Sequence, residues 1–450
     1  VFAAIAVAAS LAACSESEPA AGGASDTAAS EADGSVRAGP GDGRTVLSRF
    51  EGATWFAGEV PAPEAADDTG PPVRIGFMNV DSGPIGAMPE LHAATDAAVS
   101  LINEELGGVG GRRVELVPCL LSNPLSAEEA QACARKFVDA DVVAVLGGIG
   151  LSTGAALTVL EDNGIPFVGG IPINFDEMRS PVSFQFSGGS PGAFVAFAQN
   201  AVADEGAEKV AILYAEYPSI QEAAVGFGAA VAEALGADVT TVSFPMVSQD
   251  YVAPVQKAVE SDPDAIFVGA ADLACAPIMQ AIADLGTDAT VYMVGSCADV
   301  KHLDKVGVDK VAGFRFNIEN RIDQTASDSA DTEIYTAAIE QYAPGTTPRS
   351  AATVAFRGAM NLWAVLDELG PDATRQQVID AFAASRDRVS FDGHPYSCAA
   401  TPVPDLPSLC APQQVIAELR AGPEFVEASD GWIDVPAVLA STGAGGAGRS

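Results

Sequence analysis

The stretch VRIGFMNVDSGPIGAMPELHAATDAAVSLINEELGGVGGRRVEL, residues 73–116, reads as strand, helix, strand. Its first eight residues are an almost unbroken apolar run, the composition of a strand covered on both faces. From Pro89 the apolar positions take a helical period, with Leu91, Ala94, Ala98, Leu101 and Ile102 on one face, and Gly107-Gly108 stops the helix. RRVELVPC then returns to strand. A strand, a covering helix and a second strand make a parallel pair with a right-handed crossover, the unit of a doubly wound α/β sheet.

The pattern continues downstream. SAEEAQACARKFVD (126–139) is a helix opened by Ser126 with Glu129 three residues on, a capping box. VVAVLGG (142–148), IPFVGG (165–170) and VSFQFS (182–187) are strands, with a helix around 152–162. A second series starts at Ser190-Pro191, an N-cap followed by proline at the first helical position. It holds helices over 191–204, 220–235, 252–261 and 273–285, and strands KVAILYA (209–215), DVTTVSF (238–244), DAIFVGA (264–270), TVYMVG (290–295) and VAGFRFN (311–317). Helices near 329–343, 350–369 and 374–385 follow without enough strands for a third sheet, so they must cover an existing one.

The 450 residues suffice for two domains with full cores. With 60 Asp+Glu against 23 Lys+Arg, a net charge of −37, the chain lacks the basic face that nucleic acid or an anionic membrane surface would require. The opening VFAAIAVAASLAAC is apolar, too short to span a bilayer, and ends in small residues before a cysteine, as a signal peptide does. Leu11-Ala12-Ala13-Cys14 resembles a bacterial lipobox, which implies cleavage before Cys14 and lipidation of its thiol. On this reading 1–14 is the signal peptide and 15–71 a flexible acidic tether. Within the tether a short apolar patch, with Phe50, Trp55 and Phe56, is expected to pack on the domain, with contact to a partner as the alternative. Residues 441–450 form a disordered tail.

Setting Cys14 aside leaves Cys119, Cys133, Cys275, Cys297, Cys398 and Cys410, an even number in an exported chain. Six cysteines allow fifteen connectivities. The spacing falls into three local pairs, 119 with 133, 275 with 297 and 398 with 410, each closing a short loop worth about 3 kcal/mol in the chain-entropy model. No paired CxxC is present and there are three histidines, so no metal site is assigned.

The turn LGGIGLSTGAAL, residues 146–157, admits three chemistries. A dinucleotide fingerprint would need an acidic residue about twenty positions on, where Val168, Gly169 and Gly170 stand. Gly150-Leu151-Ser152-Thr153-Gly154 matches the nucleophile elbow of a serine hydrolase, but only two strands precede it and no HGGG-type segment lies upstream. Binding remains: hydroxyls and free N–H groups at a helix start, beyond the carboxyl edge of a sheet, suit an anionic or polar ligand head. Ser152 or Thr153 could equally cap its own helix.

Residues 73–116, the Cys119 and Cys133 pair, VLGGIGLSTGAALTVLEDNGIPFVGG (145–170) and FDGHPYSC (391–398) together resemble the leucine/isoleucine/valine-binding family of type I periplasmic binding proteins, over residues 72 to about 435. The resemblance implies two doubly wound parallel-sheet lobes joined by a three-segment hinge. Lobe one would be 72–189 with 317–386 and lobe two 190–316 with 387–440, the ligand lying between them. A family serine and threonine hold the ligand carboxylate; their places fall at Ser152, with Thr153 beside it, and at Ile173. The family's acidic anchor for an α-amino group falls at Ser296, with Asp299 close by. Tyr217 and Asp272, at strand ends facing the cleft, complete the candidate set, with a wall or N-cap role as the alternative for each.

That clamp is incomplete, so the resemblance implies weak binding of leucine, isoleucine and valine and capture of another small polar solute, such as an amide or carboxylate. The expected protein is a monomer with no catalytic residue and no cofactor. It would be held to the outer face of the cell membrane through lipidated Cys14 and would serve an ABC permease. The alternatives are a secreted serine hydrolase using the GLSTG turn and a ligand-sensing domain for a separate membrane receptor.

Overall fold

The alternation of apolar strands and one-sided helices builds two parallel sheets. The computed structural model describes residues 45–444 except 68–69, 84, 321–328, 349–350, 401–402, 404 and 423. Cys14, residues 15–44 and the end of the tail lie outside the described residues. A two-stranded hairpin, β1 (Thr54–Trp55) and β2 (Gly58–Glu59), precedes both sheets. The first sheet takes β3 (Val73–Val80), β4 (Val114–Leu121), β5 (Ala144–Gly147), β6 (Phe167–Val168) and β7 (Ser183–Phe184) in the order β4-β3-β5-β6-β7, all parallel.

The second sheet holds β8 (Lys209–Ala215), β9 (Asp238–Phe244), β10 (Ala265–Gly269), β11 (Thr290–Met293), β12 (Arg315–Ile318), β13 (Val415–Arg420) and β14 (Glu424–Glu427). Their order is β14-β13-β12-β11-β10-β8-β9, parallel from β8 to β12, with β13 and β14 added antiparallel. The strand pattern of residues 73–317 thus appears where the apolar runs stand.

Helix α1 (Pro89–Glu105) covers the first sheet with Leu91, Ala94, Ala98, Leu101 and Ile102 buried, the face its period marks. The helices without strands, α11 (Asp331–Tyr342), α12 (Ala352–Leu369) and α13 (Arg375–Ala383), share that core. Helix α2 (Ala127–Asp139) starts at Ser126, whose hydroxyl accepts from Glu129 N–H. The Glu129 carboxylate instead accepts from the N–H groups of Ser122 and Asn123, so the box is half made. The three local disulfides are all present.

The chain crosses between lobes three times. It leaves the first sheet after Phe184 and enters the second core with α5 (Gly189–Ala198), returns between Ile318 and Asp331, and crosses last between Ala411 and Val415. Phe391, Tyr396, Cys410 and Ala411 sit in the first core, which puts these residues of the segment assigned from sequence to lobe two, 387–440, with lobe one. The first and last crossings pair side by side, Gln185 N–H with the Ser408 carbonyl and Cys410 N–H with that of Gln185, both 2.8 Å.

Within the described residues the apolar patch packs on lobe one as read from sequence, while the Pro-rich stretch after it and the start of the expected tail are built into the fold. Trp55 and Phe56 are buried against Trp363 and Phe391, and the Pro-rich stretch bonds to α1 through Glu64 N–H and Ala66 N–H. At the other end α14 (Val435–Thr442) carries Val438 and Leu439 into the second core, and Gly443 closes it with φ +69°, the left-handed conformation glycine adopts without strain.

Candidate functional site

The loops after β3, β5 and β6 of the first sheet and after β10 and β11 of the second supply walls of one space between the lobes, at the carboxyl ends of those strands. They enclose a cavity of about 740 Å³. Its walls are largely apolar, with Val80, Met88, Ile149, Leu151, Ile171 and Ile173 from lobe one and Ile220, Ala270, Val294 and Phe425 from lobe two. Polar atoms come among others from Ser190, Ser296, Asn317, Thr332 and Thr336, and acidic residues in the lining are Asp272, Asp299, Glu319, Asp392 and Glu424.

Asn79, fully buried at the end of β3, ties the loop after β3 to the loop after β5. Its amide donates to the Met88 carbonyl and to Asp81, and its oxygen accepts from Ile149 N–H at 3.0 Å. Gly148 is required beside it, because a Cβ there would lie 2.3 Å from Asn79 Oδ1.

Of the seven residues singled out from sequence, Ile173, Asp272, Ser296 and Asp299 line the cavity; Ser152, Thr153 and Tyr217 do not. The Ser152 hydroxyl donates to the Ser126 carbonyl at 3.1 Å and that of Thr153 to the Gly150 carbonyl at 3.0 Å, within its own turn. The wall at this point is Ile149, Gly150 and Leu151. The Ser152 hydroxyl is thus committed to a backbone carbonyl, and among the described residues no histidine bonds to it as a serine nucleophile would require.

Tyr217 plays a different part. From lobe two its hydroxyl donates to the Leu151 carbonyl of lobe one and stands 3.0 Å from Asn174 Oδ1. Asn174 donates to the Gly150 carbonyl, so one flank of the cleft is closed by a chain of hydrogen bonds. Just behind it Glu177 accepts from Ile173 N–H and Asn174 N–H, both 2.9 Å. Burial pushes its carboxyl up to about 7 despite those bonds.

Asp272 opens helix α9 (Asp272–Leu285), and its Oδ1 lies 2.8 Å from both Lys301 Nζ and His302 Nε2. Burial works to raise its pKa, and the hydrogen bonds from His302 and Lys301 outweigh it, holding the carboxyl below the usual range. Lys301 also reaches across to lobe one, 3.2 Å from the Ala87 carbonyl and 3.6 Å from Glu90. Asp299 caps α10 (Val300–Val306) by accepting from Lys301 N–H. Both Asp272 and Asp299 therefore already have protein donors.

Sequence reasoning missed the polar knot at the hinge. Glu319 Oε1 accepts from Ser187 Oγ, Gly188 N–H and Gln414 Nε2 at 2.7 to 2.9 Å, one donor pair from the first crossing and one donor from the last. Arg357 on α12 holds its other oxygen at 3.1 Å and donates to its backbone carbonyl. The partners lie 38 to 132 residues away, so no local pattern could announce the cluster.

The model describing periplasmic binding proteins matches residues 72–397. A leucine-binding protein from Thermotoga maritima is 19% identical, with 80% of this chain and 98% of that one covered at a TM-score of 0.66. A fatty acid ABC transporter substrate-binding protein from Thermomonospora curvata is 16% identical, covering 83% and 96%, TM-score 0.67. A solute-binding protein of an ABC transporter from Rhodopseudomonas palustris, in complex with p-hydroxybenzoic acid, is 18% identical, covering 81% and 97%, TM-score 0.68. At these identities the likeness is one of fold. No curated protein sequence matches the chain.

Proposed function

The chain belongs to the periplasmic binding protein family, and we propose on that footing that it captures a small solute between its lobes and delivers it to an ABC importer, with Cys14 lipidated to hold it at the outer membrane face. The observation that carries the proposal is the cavity of about 740 Å³ at the carboxyl ends of two sheets whose lobes are joined by three crossings. Such a site binds by hinge closure and needs no reacting group.

The walls narrow the solute. Apolar side chains from both lobes favour a ligand with a sizeable apolar body, and hydroxyls and amides at Ser190, Ser296, Asn317, Thr332 and Thr336 suit a few hydrogen-bonding groups at its end. Asp272 is paired with the Lys301 ammonium and hydrogen-bonded to His302, so a free α-ammonium would find no ready counter-ion there. Leucine, isoleucine and valine are therefore expected to bind weakly. The structural neighbours named for leucine, a fatty acid and p-hydroxybenzoic acid show that this fold accommodates such different solutes.

A thermal-shift screen of amino acids, aromatic acids, fatty acids and amides tests this, because a ligand at 100 times its Kd adds about 2.7 kcal/mol. Stabilisation by an apolar-bodied solute and none by leucine is expected. Tight leucine binding would refute the specificity, and turnover of an ester abolished by Ser152→Ala would refute the receptor.

A further inference from the structure

We propose that residues 45–67, which precede the stretch matched by the family model, are a positioning element of the ligand cavity. The segment is built into lobe one at its start, at the hairpin and, through Glu64 and Ala66, at its end. Glu105, fully buried on α1, accepts from Val46 N–H and Leu47 N–H at 2.8 and 2.6 Å, fixing its start. At the hairpin, Thr54 offers its carbonyl to Ala330 N–H, and Phe56 N–H donates to Asp331 Oδ1 at 3.0 Å.

Asp331 passes that contact to the cavity wall. Its second oxygen accepts from Asp392 N–H at 3.1 Å, and Asp392 sits at φ +43°, in the left-handed region that aspartate enters more readily than most residues. The Asp392 carboxylate in turn accepts from Thr332 Oγ1 at 2.7 Å, and Asp392, Thr332 and Tyr335 all line the cavity. A second coupling is apolar: the Phe56 ring meets the edge of Phe391, the residue before Asp392, at 5.3 Å between centroids. One carboxylate and one ring pair thus connect the segment to the same stretch of wall, and Asp331 is the positioning residue between them.

The inference rests on the cavity being the ligand site, yet it is tested on the free full-length chain, so a failed ligand screen and a failed coupling are told apart. Hydrogen exchange read by mass spectrometry compares wild type with Phe56→Ala and with Asp331→Asn. Both variants are expected to speed exchange about tenfold in peptides covering 329–337 and 389–397, leaving the second lobe unchanged. The Asp392 carboxyl, faced by Asp331, Thr332, Glu333 and Arg357, is expected to titrate lower in Phe56→Ala by carbon NMR as the wall opens to water. A strap that merely adds stability would leave that titration where it is. Faster exchange confined to 45–67, with Asp392 unmoved, overturns the proposal; should Phe56→Ala fail to fold, Asp331→Asn decides by whether the amides of Phe56 and Asp392 lose protection together.

Discussion

Glu177 shows how a single carboxylate can shape a binding loop and also set a pH response. Its oxygen holds Ile173 and Asn174 at the cavity edge, and burial raises its pKa to about 7, with Asp176 adding to the rise. The folded state therefore holds this proton more tightly than the unfolded chain. Its contribution is fully present below the ordinary glutamate range and is lost as pH rises through about 7. Glu177→Gln keeps an acceptor oxygen and cannot ionise, so its melting temperature should fall less than that of wild type between pH 5 and 7.5, up to about 3 kcal/mol at 1.4 kcal/mol per unit. Equal slopes in calorimetry would show that Glu177 does not titrate there. Ser152 and Thr153 illustrate the opposite case. The turn was legible in sequence, but the direction of each hydroxyl depends on Ser126 and Gly150, and both face backbone carbonyls. Replacing both with alanine should cost about 1 kcal/mol of stability each and leave ligand affinity within twofold by calorimetry; a large loss of affinity would return the site to this turn.

Among the elements, α9 and the turn after β11 are joined by the Cys275 to Cys297 disulfide. Asp272 stands one turn before Cys275, while Ser296 and Ala298 flank Cys297, and all three line the cavity, so the bridge braces the lobe-two wall. Replacing both cysteines with serine is expected to lower stability by about 2 to 5 kcal/mol and to weaken solute binding along with it, whereas the Cys398 to Cys410 bridge, whose immediate neighbours do not line the cavity, should affect stability alone. Unchanged affinity in the 275/297 variant would separate the bridge from the site. Elements built from local signals were legible: the apolar strands, the α1 face, the three short-range cysteine pairs. The antiparallel β13 and β14 were not, because Val415–Arg420 is recognised as a strand only beside β12, a hundred residues earlier in the chain. The long helices of lobe one could be placed only by noticing that they lacked a sheet of their own.

At the scale of the whole molecule, two sets of contacts act on lobe closure from opposite sides of the cleft. The Glu319 knot gathers the first and last crossings onto α12 and belongs to the hinge, while Tyr217 and Lys301 touch lobe one at the cleft rim. The three crossings were foreseeable from the family resemblance; which side chains bridge them was not, since each bridge joins segments remote in sequence. Opening the cleft would separate Lys301 from the Ala87 carbonyl and from Glu90 while leaving its pair with Asp272 inside lobe two. Only the first two contacts distinguish closed from open, and a ligand trapped by closure dissociates at a rate set by that difference. Lys301 is partly exposed, so the cross-lobe part is worth about 0.5 to 1 kcal/mol, a two- to fivefold change in population. Lys301→Met should therefore speed dissociation of a bound solute by that factor, weaken with added salt in wild type but not in the variant, and raise the radius of gyration of the free protein in small-angle scattering. His302 remains on Asp272, so the half-buried acid keeps a partner and the lobe should keep its fold. An unchanged dissociation rate together with an unchanged radius would show that Lys301 serves lobe two alone, and the rim contact at Tyr217 would then be the one holding the cleft shut.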